Sequence, residues 1–169
     1  MRFNTVSKLL ALATVTRSAS SFCPSRVAVC SRAIMTKRFM SASSSEPVLK
    51  HVGWEEMDSI LDEYEELGRA ESGMLVLDVR NQDEIEYTGK LSPNTITLPL
   101  PAIMTYNIFA LDEDEFEDLC GFSKPTPDET LVFSCAAGIR SVHAAKIAAQ
   151  AGYSKLVNYG GGSNEWFTR

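Results

Sequence analysis

Between Thr130 and Ser141 the chain reads Thr-Leu-Val-Phe-Ser-Cys-Ala-Ala-Gly-Ile-Arg-Ser, which sets a thiol, a guanidinium and a hydroxyl close together at Cys135, Arg140 and Ser141. A thiol ionised to thiolate is a nucleophile, and a guanidinium nearby supplies fixed positive charge. Leu131, Val132 and Phe133 form an apolar run of strand length, and from Ser141 onward the residues are helix formers with few breakers. Cys135 is therefore expected in a strand-to-helix turn. There the first N–H groups of the helix lack partners within the helix, and the helix dipole favours negative charge. A thiolate, or a persulfide formed on it, would be stabilised. An unperturbed Cys titrates near ~8.5, and this setting commonly brings it to ~7.5 or below. Gly138 lets the loop curl, and Ser141 is expected to cap the helix. The competing reading is that Cys135 is a small buried hydrophobe behind a strand.

The elements that must position this loop are read from periodicity. Trp54, Met57, Ile60, Leu61 and Tyr64 recur at three- and four-residue spacings, so a helix is expected from Trp54 to Leu67, ended by Gly68. His51-Val52-Gly53 before it is too short to assign, and His51 is read as a structural residue. Met74 to Arg80 is a nearly continuous apolar run ending in charges, the pattern of a strand buried on both faces of a parallel sheet. Asp78 and Arg80, two apart, share one face at its end and are expected to brace the site by hydrogen bonding. Asn81 is a plausible cap for a short acidic helix over 82–87 that stops at Gly89. A half-buried strand at 95–98 is interrupted by Pro99 and Pro101, and an irregular connection with Tyr106 and Phe109 follows. Asp112, with Glu115 three residues on, starts a second acidic helix reaching Cys120. Residues 142–149 form an Ala-rich helix closed by Gly152, with His143 near its start as a conceivable base. A last short strand over 155–159 runs into Gly160-Gly161-Gly162, where the backbone can approach a neighbour closely, and then a helical turn with Trp166, read as core or as a wall of the pocket. Strands alternating with helices through short links predict one α/β domain, a mostly parallel central sheet with helices on both faces.

Charge and cysteine use narrow the function. Residues 1–45 hold seven of the 16 Lys and Arg and none of the 22 Asp and Glu, so the remainder carries nine basic against 22 acidic residues. An acidic body of this kind argues against nucleic-acid binding, and any anion site must be made locally by oriented N–H groups and Arg140. No apolar run approaches the length of a membrane span, so no membrane partner is expected. The cysteines at 23, 30, 120 and 135 lack the paired spacing of a zinc site and do not suggest a disulfide framework. No metal site is expected. Cys120, beside Gly121 at a helix end, is read as structural, with a resolving thiol for Cys135 as the alternative.

The acid-free, Ser-, Arg- and Ala-rich segment 1–45 has the composition of an organellar targeting peptide, leaving 46–169 as the folded domain. Arg38-Phe39-Met40 before Ser41 resembles a mitochondrial processing site. A mitochondrial location is expected; Ser20-Ser21-Phe22 keeps a plastid as the alternative, and a start at Met35 would give a cytosolic form.

Three stretches in this order, Leu77-Asp78-Val79-Arg80, Cys135-x-x-Gly138-x-Arg140-Ser141, and Asn158-Tyr159-Gly160-Gly161 leading to Trp166, resemble the single-domain rhodaneses, a family of sulfurtransferases. The tail from Gly152 to Trp166 is most similar to the thiosulfate:glutathione sulfurtransferase type. One departure is Gly89-Lys90-Leu91-Ser92-Pro93-Asn94, where many members have Gly-His-Ile-Pro-Gly-Ala. The resemblance implies that Cys135 takes a sulfane sulfur from thiosulfate or another persulfide donor, becomes a persulfide, and passes the sulfur on. Acceptors would be cyanide or a thiol such as glutathione or thioredoxin. It also implies that the backbone of Ala136, Ala137, Gly138, Ile139, Arg140 and Ser141 cradles the charged sulfur, that Arg140 binds the donor's sulfonate or holds the loop, and that Asp78, Arg80 and Trp166 support the site. Neither a metal nor an organic cofactor is implied. Two other readings stay open: a Cys-dependent phosphatase or arsenate reductase on the same fold, and a non-catalytic binding module. The former resemble Cys-x5-Arg, whereas four residues separate Cys135 from Arg140, a tighter loop that suits a single sulfur.

Overall fold

The computed structural model describes residues 48–169. The expected targeting peptide, its processing site and the alternative start at Met35 all lie outside the described residues. Among the described residues there are five strands: β1 (Leu49–Val52), β2 (Met74–Asp78), β3 (Ile96–Thr97), β4 (Thr130–Ser134) and β5 (Leu156–Tyr159). They form one sheet in the order β1-β5-β4-β2-β3, every pair parallel. Six helices connect and flank them: α1 (Trp54–Ser72), α2 (Gln82–Thr88), α3 (Leu100–Tyr106), α4 (Glu113–Cys120), α5 (Ile139–Gln150) and α6 (Gly162–Trp166).

Alternation along the central strands sorts the core into two layers. Leu75, Leu77, Leu131, Phe133 and Leu156 face α3, α4 and α5, where Ile103, Phe116 and Ala144, Ala145 and Ala148 complete a buried cluster. Val76, Val132, Val157 and Tyr159 face the opposite way, onto Met57, Leu61 and Tyr64 of α1, with Trp166 of α6 packed alongside. The parallel sheet with helices on both faces matches the sequence prediction.

Four local readings are corrected. His51 and Val52 belong to an edge strand, β1, whose four residues carry too little pattern to declare it. Gly68 breaks α1 with φ 69° and ψ 179°, but the chain resumes one more helical turn to Ser72 before Gly73 closes it. The 95–98 strand shrinks to Ile96–Thr97. The connection after it is ordered: Pro99 and Pro101 sit at the start of α3, where a missing N–H costs nothing, and a 3-10 turn at Ile108–Ala110 follows. The caps at Asn81 and Asp112 are in place, the latter accepting from the Glu115 amide at 2.9 Å.

Candidate active site

The Cys135 loop joins the carboxyl end of β4 to α5, at the sheet edge where open α/β folds build their sites. Val79 donates to the Ser134 carbonyl at 2.9 Å, so the loop leaves the sheet beside the end of β2. Gly138 then turns the chain with φ 77° and precedes the first residue of α5. A Cβ at Gly138 would stand 2.3 Å from the Gly160 carbonyl oxygen, and one at Gly162 would stand 2.4 Å from that of Cys135. Glycine is thus required twice, by backbone conformation and by contact. The Ser163 and Asn164 amides of α6 donate to the carbonyls of Cys135 and Ala136 at 2.8 and 3.0 Å. With these carbonyls held by α6, loop N–H groups remain for the sulfur.

Ser141 does not cap the helix. Because Gly138 starts the helix early, Ser141 falls inside its first turn, buried, with Oγ 3.4 Å from Cys135 Sγ. The Cys135 side is only 1% exposed. Burial pushes its thiol up, but the Ser141 hydroxyl and the N–H groups of Ser141, Ala137 and Arg140 outweigh this and bring it below the ordinary thiol value. The anion is favoured by oriented donors that do not have to reorganise.

Arg140 is not a free cation awaiting a donor. Its Nη1 and Nη2 each donate to Glu84 at 2.6 Å, a two-pronged ion pair that is about two-thirds buried. The guanidinium beside it, together with the Asn81 amide, holds the Glu84 carboxyl down at about 2, against the smaller opposing effect of burial. Glu84 is the third residue of α2, where it also accepts from Asn81 N at 2.9 Å in a reciprocal cap. Sequence reasoning missed it, although Asn81-x-x-Glu84 is itself a readable capping signal.

α2 is in turn fixed by Arg80. Arg80 Nε bonds both Asp78 oxygens at 3.0 and 2.9 Å, its Nη1 reaches Thr88 Oγ1 at 2.6 Å, and its Nη2 reaches the Gly89 carbonyl at 2.9 Å. Both residues of this pair are essentially inaccessible. A buried charge is tolerated only when paired and fully bonded, and here the bonds tie the end of β2 to the end of α2. A continuous path of contacts therefore runs from Asp78 through Arg80, α2 and Glu84 to Arg140 and the loop.

Trp166 lies elsewhere than the pocket-wall reading placed it. Its ring packs 6.0 Å from Trp54 and 6.2 Å from Tyr159, in the α1 layer, and it is the α6 backbone rather than this ring that meets the loop. Ile139 is 69% exposed beside the loop. His143 makes no bond to Cys135, whose side-chain partner is Ser141. Cys120 ends α4, half-buried, and burial pushes its thiol up. Among the described residues no cluster of three or more His, Cys, Asp or Glu could hold a metal ion, and no helix is long and apolar enough to cross a membrane.

A parallel sheet bearing a Cys-centred loop at this edge can be compared with known proteins. Residues 60–169 match the rhodanese-like domain family. The chain belongs to that family. It is similar to the thiosulfate:glutathione sulfurtransferase of Saccharomyces cerevisiae, 33% identical over 133 residues that cover 78% of this chain and 93% of that protein. It is similar also to the mitochondrial thiosulfate sulfurtransferase RDL2 of the same yeast, 33% identical over 95 residues, 56% of this chain and 61% of that one. The human single-domain sulfurtransferase TSTD1 superposes with a TM-score of 0.57 at 28% identity, covering 72% of this chain and 98% of that structure. With this membership the protein is a rhodanese-type sulfurtransferase.

Proposed function

We propose that the protein moves a sulfane sulfur from thiosulfate, or from a persulfide donor, onto Cys135 and then to an acceptor, either cyanide or a thiol such as glutathione or thioredoxin. The observation that carries this reading is the enclosed Cys135 sulfur, held by the Ser141 hydroxyl and by N–H groups of Ala137, Arg140 and Ser141. In the first step the Cys135 thiolate attacks the outer sulfur of thiosulfate. A sulfur–sulfur bond forms on Cys135, the bond to the sulfonate sulfur breaks, and sulfite leaves with that electron pair. The loop N–H groups, with Ala136 to Ser141 as its frame, stabilise the charge on the persulfide. Arg140 acts first as the tie between loop and α2, and its three remaining N–H bonds are free for a sulfonate. Asp78 and Arg80 position α2, while Trp166 supports the site by anchoring α6.

The acid-free segment 1–45 and the name of the yeast relative RDL2 support a mitochondrial location. Imaging a tagged full-length chain beside one beginning at Met35 tests it; plastid staining of the full-length chain overturns it.

For the chemistry, the protein is incubated with thiosulfate and its intact mass and released sulfite are measured. A gain of about 32 Da, one sulfur atom, with equimolar sulfite is expected. Hydrolysis of an aryl phosphate with no mass gain would overturn the reading.

A further inference from the structure

The chain has two histidines, and the fold brings both into one cleft. His51 comes from the edge strand β1 and His143 from α5, and between them runs a hollow of about 350 Å³. One wall is the sulfur-bearing loop itself, through Ala137, Gly138 and Ile139, and Gly160 and Asn158 contribute the side nearest the sheet. No Asp or Glu lines it, in a domain where acids outnumber bases by 22 to nine.

The imidazole of His51 is held by design of the sheet. In the parallel register His51 lies opposite Asn158, so the two side chains share a face. Asn158 Nδ2 stands 3.1 Å from His51 Nδ1. The Asn158 amide thus holds the ring through Nδ1 and leaves Nε2 for a ligand. Asn158 is 1% exposed and its Oδ1 has no partner. Burying an amide with one end unsatisfied costs free energy, which an apolar residue in β5 would avoid. Orienting His51 is the work that the structure assigns to it.

Resting on the sulfur-transfer reading above, we infer that this cleft seats the acceptor: a small thiol bearing a carboxylate, whose carboxylate is taken by His51 and His143. Its volume of about 350 Å³ is that of a small-ligand site. An occupant lies along Ala137, Gly138 and Ile139, two to four residues after Cys135 in the loop, and exposed Ile139 offers its aliphatic portion an apolar contact. The lining adds no acid of its own to repel a carboxylate. In the transfer, the acceptor thiolate attacks the outer sulfur of the Cys135 persulfide. A new sulfur–sulfur bond forms on the acceptor, the bond to Cys135 Sγ breaks, and its electron pair returns to Cys135 as thiolate. The outer sulfur carries its negative charge across, so the product is the acceptor persulfide anion and nothing else is oxidised or reduced.

The test uses full-length protein, thiosulfate as donor, and three acceptors: glutathione, 2-mercaptoethanol, which is a thiol without a carboxylate, and cyanide. His51→Gln and His143→Gln are each expected to raise the glutathione KM about tenfold or more, the loss of one hydrogen bond to a charged group, with kcat little changed. The double variant is expected to raise it further. Kinetics with 2-mercaptoethanol and cyanide, and the mass gain from thiosulfate, are expected to match the wild type. An unchanged glutathione KM in the double variant overturns the inference, as does an equal loss with all three acceptors, which would mean a disturbed loop. Failure of the wild type to gain a sulfur would overturn the proposed function itself, and the inference with it.

Discussion

Two thiols are present among the described residues, and they sit at opposite ends of helices. Cys120 is the last residue of α4, where carbonyls lack partners and the dipole is negative; Cys135 precedes α5, where N–H groups lack partners. Burial raises both thiols, and nothing offsets it at Cys120. At Cys135 one hydroxyl and three N–H groups reverse the outcome. Burial therefore does not decide reactivity; the donors that survive burial do.

The comparison breaks most sharply if the nucleophile is removed. Cys135→Ser is expected to abolish the sulfur mass gain and thiocyanate formation, while Cys120→Ser retains both within about twofold, since its thiolate is disfavoured. Retention of the mass gain in Cys135→Ser would make Cys120 the sulfur carrier. Next in size, Gly138→Ala forces a Cβ to within 2.3 Å of the Gly160 oxygen at a positive φ. A loss of about 2–4 kcal/mol in chemical denaturation is expected, together with loss of transfer activity. An equivalent change at Gly121, which has open space around its Cβ position, should cost only about 1 kcal/mol from backbone strain.

A smaller effect sharpens the electrostatic half of the contrast. Persulfide formation needs the thiolate, so its rate rises with pH and levels off above the Cys135 titration. Ser141→Ala removes a hydrogen bond to the anion, so the inflection moves to higher pH and the rate at neutral pH falls a few-fold. An unmoved inflection would show that the backbone N–H groups suffice. The smallest effect concerns the tie behind the loop. Glu84→Gln keeps the cap on α2 but removes the charge, and a loss of about 0.5–1 kcal/mol is expected, discounted for partial exposure. The Glu84 carboxyl is depressed from 4.5 to about 2, so its contribution is present above the ordinary carboxylate range and is lost as pH falls through about 2. Wild type and variant should therefore differ in denaturation midpoint at pH 7 and pH 5, and converge as pH falls from 4.5 towards 2.

Much of this was legible in the chain. The apolar run in 74–80 announces a buried parallel strand, and the one at 131–133 a strand before the Cys135 loop. The Cys135 loop declares its own chemistry, because a thiol, a glycine and a helix start lie within a few residues of each other. Asp78 and Arg80 stand two apart where the apolar run ends, close enough in sequence for a hydrogen-bonding role there to be expected, although the strand itself stops at Asp78. Local pattern determines what neighbours in sequence do to each other.

What the tertiary structure alone decided are the pairings between residues remote in sequence. Arg140 reads as free charge until Glu84, 56 residues away, is brought against it. His51 reads as an isolated histidine until the edge strand β1 aligns it with Asn158, 107 residues on, in the same cleft as His143. Four residues of strand carry too little periodicity to declare themselves, and their register comes from the hydrogen bonds of β5. The thiol's place before a helix was written in the sequence; which charges are spent on holding the loop, and which donors remain for a substrate, depended on packing.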